Sequence, residues 1–173
     1  MNHREATMIE VKKVFDVIPT KSVLEIGPRE DTTFKDYFEH KGAKWTGMDL
    51  VQEIDGVIYG KMENLPFPDN SFDIIFVCHA FEHCERPVEA LSEFKRVGRK
   101  ILFMSTPNHC KHQILGADSD HIFCLTEMQM ERLFIYGNIK KIDIHTQKEN
   151  IEKEQDYNLI SVGDLENEKR ITS

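Results

Sequence analysis

No stretch of this sequence stays apolar long enough to cross a bilayer. Its longest apolar runs, such as Ile74-Ile75-Phe76-Val77-Cys78, fall far short of the roughly 20 residues a spanning helix needs. Basic residues are in deficit: 22 Lys+Arg face 30 Asp+Glu, the net charge is −8, and there is no long Lys/Arg run. A phosphate backbone recruits clustered cations, so nucleic acid is not expected as the main partner; a small molecule or a protein is. Cysteine is sparse. Cys78, Cys84, Cys110 and Cys124, with no apolar signal segment after Met1, are expected to be reduced thiols in a soluble, cytoplasmic protein. Internal repeats, low-complexity tracts and domain linkers are absent, and no Gly-x-Gly-x-x-Gly follows the first strand, which disfavours a nicotinamide dehydrogenase.

What the chain does have is enough apolar material for a core. Its 173 residues are 40% hydrophobic and 30% charged. A chain of this size buries about 70% of the surface its unfolded form exposes, so no disulfide or metal staple is required. The expectation is one domain over residues 1–163, with 164–173 as a flexible C-terminal tail.

The apolar periodicity alternates between two kinds of segment. Met8, Val11, Val14, Phe15 and Ile18 recur at helical spacing between Thr7 and Ile18, ahead of Pro19. Ser22 to Pro28 is a short apolar run closed by Gly-Pro, the pattern of a buried parallel strand, with Glu25 as its odd residue. A helix over residues 33–41, a strand over 43–50 ending in an acid, and a short strand over 56–60 follow. The turn-rich Leu65-Pro66-Phe67-Pro68-Asp69-Asn70 leads into the strongest strand, Ser71 to Cys78. Pro87 opens a helix that carries Val88, Ala90, Leu91, Phe94 and Val97, and Lys100 to Ser105 is the next strand. Thr126 and Gln129 form a capping-box signature for a helix through Tyr136, and two closing strands fit residues 139–146 and 157–162. The charged stretch between those strands reads as a solvated hairpin loop.

Strands alternating with helices predict a three-layer α/β fold whose mainly parallel sheet is closed by an antiparallel hairpin. Ligands of such folds bind beyond the carboxyl ends of the strands, which singles out Gly27, Asp49, Cys78, His79 and Ser105. The series Val23-Leu24-Glu25-Ile26-Gly27, the acid Asp49, Leu65 to Asp73, Phe81-Glu82-His83 and the strand ending Ser105-Thr106-Pro107-Asn108 resembles the class I S-adenosylmethionine-dependent methyltransferases, in the branch called the methyltransferase type 11 group. His121, Phe123 and Thr126 also fit a His-x-Phe-x-x-Thr stretch of that group, and the resemblance covers about Ser22 to Phe134.

The resemblance implies a Rossmann-like methyltransferase fold, S-adenosyl-L-methionine as cofactor, and methyl transfer to an O or N atom of a small-molecule acceptor. It places Gly27 against the cofactor's methionine part, with Glu25 anchoring the first loop or the cofactor ammonium. Asp49 would accept the ribose hydroxyls, a role that also follows from its chemistry, since one carboxylate can take two vicinal hydroxyls. Met62 and Glu63 would floor the adenine site, Leu50 would cover a ring face, and Cys78 and His79 would line the methionine side.

Three positions depart from the family pattern. Gly27-Pro28-Arg29-Glu30-Asp31 keeps only the first glycine of the usual Gly-x-Gly-x-Gly loop, which implies another loop path or a less close approach to the cofactor. Lys61 stands where an acid commonly faces the adenine amine, and Val97-Gly98-Arg99 shortens the usual Pro-Gly-Gly. These departures motivate the alternative function, a non-catalytic binding or scaffold protein with a degenerate cofactor loop. Displacement at a sulfonium methyl requires a base only when the acceptor carries a proton; His79, His83 and His109 are the candidates. Histidines and cysteines crowd the stretch from Cys78 to Cys124, but their spacing matches zinc patterns only in part, so no metal is expected.

Overall fold

The computed structural model describes residues 3–52, 55–108, 121–148 and 157–166. Helix α1 (His3–Phe15) leads into β1 (Ser22–Ile26). Helix α2 (Thr33–His40) and strands β2 (Lys44–Asp49), β3 (Ile58–Tyr59) and β4 (Phe72–Cys78) follow. A 3-10 turn at Phe81–His83 precedes α3 (Pro87–Val97), β5 (Gly98–Pro107), α4 (Glu127–Tyr136), β6 (Lys140–Lys148) and β7 (Tyr157–Asp164). The seven strands form one sheet in the order β3-β2-β1-β4-β5-β7-β6. The first five are mutually parallel, and β7 runs antiparallel between β5 and β6. The expected architecture is therefore the observed one.

Parallel strands covered on both faces need apolar residues at every position, and β4 is buried along its whole length. Its side chains nevertheless sort by parity. Ile74, Phe76 and Cys78 join Val11 and Phe15 of α1 and Phe34 and Phe38 of α2 in one cluster. Ile75 and Val77 join Ala90, Leu91 and Phe94 of α3 and Met130 and Phe134 of α4 in the other. Pro87 starts α3, and Thr126 caps α4 with Gln129 answering in a complete capping box, both as read from the sequence.

Several boundaries differ from expectation, and those of α1 and β7 differ most in consequence. Helix α1 starts at His3 and ends at Phe15, before Ile18 and Pro19. Its buried face includes Thr7 and Glu10, polar residues that an apolar count passes over. Thr7 Oγ1 lies 2.9 Å from Ser105 Oγ, and Gln147 Nε2 donates to Glu10 Oε1 at 3.0 Å, so the helix is tied to the sheet through hydrogen bonds as well as apolar contact. Strand β7 runs through Asp164, paired with Ile101 and Lys140, and Leu165 is fully buried, so packing continues past Gly163. The rest of the expected tail, 167–173, lies outside the described residues, as does the hairpin loop 149–156.

Candidate functional site

All parallel strands point their carboxyl ends to one edge, and the chain leaves that edge through unusual backbone. Gly27 follows β1 at φ 73°, and its N–H donates to Met48 O at 2.9 Å. A Cβ at this position would stand 2.6 Å from the Cβ of Ala80, which lies just beyond β4. Glycine is required there twice over, by handedness and by the close approach of two loops. Arg29 and His79 also have positive φ, both 50°. For residues carrying a Cβ this conformation costs roughly 1–2 kcal/mol, and such strain concentrates at functional sites. The first loop thus takes a left-handed turn at Arg29 without a glycine. Its Asp31 is pinned to α1 by Arg4 Nε at 3.0 Å.

Between these loops lies a cleft of about 350 Å³, within the usual range for small-molecule sites of roughly 300–1,000 Å³. Gly27, Asp49, Leu50, Met62, Glu63, His79 and His83, seven of the residues singled out from the sequence, line it. Asp49 ends β2 at the rim, where Oδ2 accepts the Arg29 N–H at 2.9 Å and Oδ1 accepts the Val51 N–H at 3.3 Å. Each oxygen keeps a second lone pair for a hydroxyl donor. Leu50 beside it is 54% exposed, apolar surface available to a ring.

Met62 and Glu63 are presented by the turn before Leu65, and Arg96 of α3 braces the segment that follows. Its guanidinium donates to Leu65 O at 2.9 Å, Phe67 O at 2.7 Å and Asp69 Oδ1 at 2.9 Å. The Glu63 carboxylate accepts the Glu85 N–H at 3.1 Å and faces the Cys84 thiol at 3.4 Å. Burial opposes its ionisation, but these bonds and its own backbone N–H hold its carboxyl below the ordinary range. Lys61, at the cleft in place of the expected acid, pairs with Glu85 Oε2 at 3.7 Å.

Two expected cofactor contacts are not in the cleft wall. Cys78 is buried on the opposite face of β4, with Sγ 3.9 Å from Thr7 Oγ1, because strand alternation turns it toward α1 while its neighbour Val77 faces α3. Burial pushes its thiol up to about 12, and Cys84 likewise, so neither is a thiolate at neutral pH. Glu25 sits beneath the first loop, 1% exposed, where Oε2 accepts the Trp45 indole N–H at 2.7 Å. Burial raises its carboxyl to about 7, against the opposing pull of Trp45 and Arg4. The Trp45 hydrogen bond ties Glu25 to β2.

The candidate bases divide. His79 is part of the cleft wall, and its Nε2 lies 2.9 Å from Asn158 Oδ1, an atom that only accepts, so Nε2 carries the proton and Nδ1 turns toward Glu82. His83 is exposed at the cleft. His109 lies outside the described residues. The fold adds a neighbour the spacing could not show: His121, 38 positions after His83, puts its ring 4.9 Å from the His83 ring. Ligating atoms of Glu82, His83 and His121 all lie within 4.8 Å of one another. Glu82 belongs to a motif read from the sequence, but its carboxylate carried no separate assignment there.

Residues 24–101 match the sequence family described as a methyltransferase domain, whereas no curated protein matches the chain. Solved structures share the fold at low identity. A chain from the complex of the Haloferax volcanii Trm112 methyltransferase activator with its candidate methyltransferase superposes with TM-score 0.75 at 14% identity, covering 95% of this chain and 92% of that one. A SAM-dependent methyltransferase from Methanosarcina mazei gives 0.71 at 14% identity, covering 90% and 98%. The [4+2]-cyclase SpnF gives 0.71 at 14% identity, covering 94% and 80%. The family match over residues 24–101 and the sheet order support a class I methyltransferase of the type 11 group. No described helix is long and apolar enough to cross a membrane.

Proposed function

We propose that the protein binds S-adenosyl-L-methionine in the strand-end cleft and transfers its methyl group to an O or N atom of a small molecule. The observation that carries this reading is the juxtaposition of Gly27 and Asp49 at one cleft: a loop that only glycine allows, 2.6 Å from Ala80 for a would-be Cβ, beside a carboxylate at the end of β2. The residues present fit the cofactor. Asp49 would hold the ribose hydroxyls, Leu50 and Met62 would give apolar cover to the adenine, and the backbone at Gly27 would admit the methionine part. Lys61 in place of an acid leaves the adenine amine to other acceptors.

The bound sulfonium supplies an activated methyl group that an acceptor lone pair takes by direct displacement. The chain's contribution is alignment and exclusion of water, which can supply several kcal/mol of rate acceleration (up to roughly 7–11 kcal/mol in the best-oriented cases). His83 is the base this reading favours where the acceptor carries a proton, because its imidazole is exposed at the cleft while His79 is turned toward Asn158 and Glu82.

The scaffold alternative retains one argument from the neighbours: SpnF, named a cyclase, shares this fold, so the fold by itself does not assign the chemistry. The retained Gly27 and the strand-end carboxylate of Asp49 favour the enzyme. Incubation with methyl-labelled cofactor and fractionated cell extract tests it. Label in a small-molecule product is expected; label only in macromolecules would contradict the acceptor class, and no transfer to any fraction would favour the scaffold.

A further inference from the structure

Beside the cleft, outside the contacts assigned to the cofactor, is a group of donors with the composition of a metal site. Glu82 and His83 occupy the 3-10 turn after β4, and His121 lies in the segment that leads into α4. Ile122 N–H donates to Glu82 O at 2.9 Å, which clips that segment onto the turn. Phe123, the next residue, packs edge-to-face on Phe81 at 5.6 Å, and Phe81 is completely buried. Residues distant in sequence are therefore held together by a backbone hydrogen bond and an aromatic contact on either side of the donor group, a preorganised arrangement rather than a chance meeting of surface side chains.

The separations suit a shared ion. Glu82 Oε1 lies 3.9 Å from His79 Nδ1 and 3.9 Å from His121 Nε2. The donor atoms of Glu82, His83 and His121 fall within 4.8 Å of one another. Two ligands each about 2.1 Å from one ion stand roughly 3.0–4.2 Å apart, so only rotamer-scale closure is needed. The Glu82 side chain, 4% exposed, lies between the His79 and His121 imidazoles. His79 completes the pattern: its Nε2–H is oriented by Asn158 Oδ1 at 2.9 Å, the kind of outer hydrogen bond that fixes the tautomer of a metal-ligating imidazole.

We propose that Glu82, His83 and His121 bind a divalent cation at the edge of the cleft, with His79 as a further donor. Two or three imidazoles with one carboxylate select borderline ions such as Zn²⁺, Co²⁺ or Fe²⁺ over Mg²⁺ and Ca²⁺, which prefer oxygen throughout. His79 and His83 also line the cleft, so coordination positions not filled by protein face a molecule bound there. The site shares His79 and His83 with the methyltransferase reading, but its test needs neither cofactor nor acceptor, so the two can fail separately.

The test is titration of the chelator-treated full chain with Co²⁺ alone, without cofactor, followed by calorimetry and by the visible absorption of the bound ion, with Zn²⁺ as competitor. The proposal expects about one equivalent bound and Zn²⁺ displacing Co²⁺. His83→Ala and His121→Ala, each shown to be folded by its melting transition, should weaken binding about tenfold or more. His83 is exposed, so its variant keeps the test decisive if the His121 variant fails to fold. His145, which pairs with Asp143 Oδ2 at 2.8 Å away from this group, is the rival chelating position, and His145→Ala should leave binding unchanged. Less than a tenth of an equivalent bound, unaltered affinity in His83→Ala, or loss of binding in His145→Ala would each overturn the proposal.

Discussion

The backbone N–H of Arg29 donates to Asp49 Oδ2 at 2.9 Å, joining the loop after β1 to the carboxylate that ends β2. One side chain thus sets the loop's position and faces the cleft, so its removal has two separable consequences. Asp49→Ala is expected to weaken binding of S-adenosylhomocysteine by about 1–3 kcal/mol through unpaired ribose hydroxyls. It should leave the far-UV spectrum intact. Unchanged affinity in calorimetry would remove Asp49 from the site.

Gly27→Ala tests the close approach of the two loops. The new Cβ meets Ala80 at 2.6 Å and occupies a left-handed backbone, so a loss of about 2–4 kcal/mol is expected in urea denaturation. Adding Ala80→Gly should recover part of that loss, since it relieves the clash and leaves the backbone strain. Strict additivity of the two changes would show that the loops do not touch.

Glu25 makes stability depend on pH in a defined window. Its carboxyl titrates near 7 in the folded chain because it is buried, against an ordinary glutamate value of 4.5. Between these values the folded state holds a proton that the unfolded state releases, so stability falls as pH rises from about 4.5 to 7 and is level above that. Glu25→Gln should abolish this contribution, with a gain on the order of 3 kcal/mol at pH 8 relative to pH 4.5. Parallel stability–pH curves for the two proteins would contradict the buried-acid assignment.

Thr126→Ala removes the capping box that starts α4, which buries Met130 and Phe134. A loss of about 1 kcal/mol is expected, read as a lower urea midpoint without a change in slope.

Much of this was legible in sequence because the relevant signals are local. The capping box at Thr126, the proline that opens α3 and the apolar run of β4 each sit within one element, and the strand-end rule then located Gly27, Asp49 and His79. Cys78 was misplaced because β4 is apolar on both faces, so its sequence carries no alternation to show which way any side chain turns. The polar face of α1 was missed for a related reason: Thr7 and Glu10 are buried through hydrogen-bond partners contributed by β5 and β6, far along the chain. His121 lies too far from His83 for any spacing rule. The clip between Ile122 and Glu82 and the packing of Phe123 on Phe81 bring the two together.

The central claim is that the cleft between Gly27 and Asp49 is a cofactor site despite a loop with one glycine. Calorimetric titration of the purified chain with S-adenosylmethionine and, separately, with S-adenosylhomocysteine tests it without a known acceptor. The account predicts saturable binding of at least one of them at micromolar concentration. Absence of heat and of thermal stabilisation at millimolar ligand, in a sample with a cooperative melting transition, would contradict it.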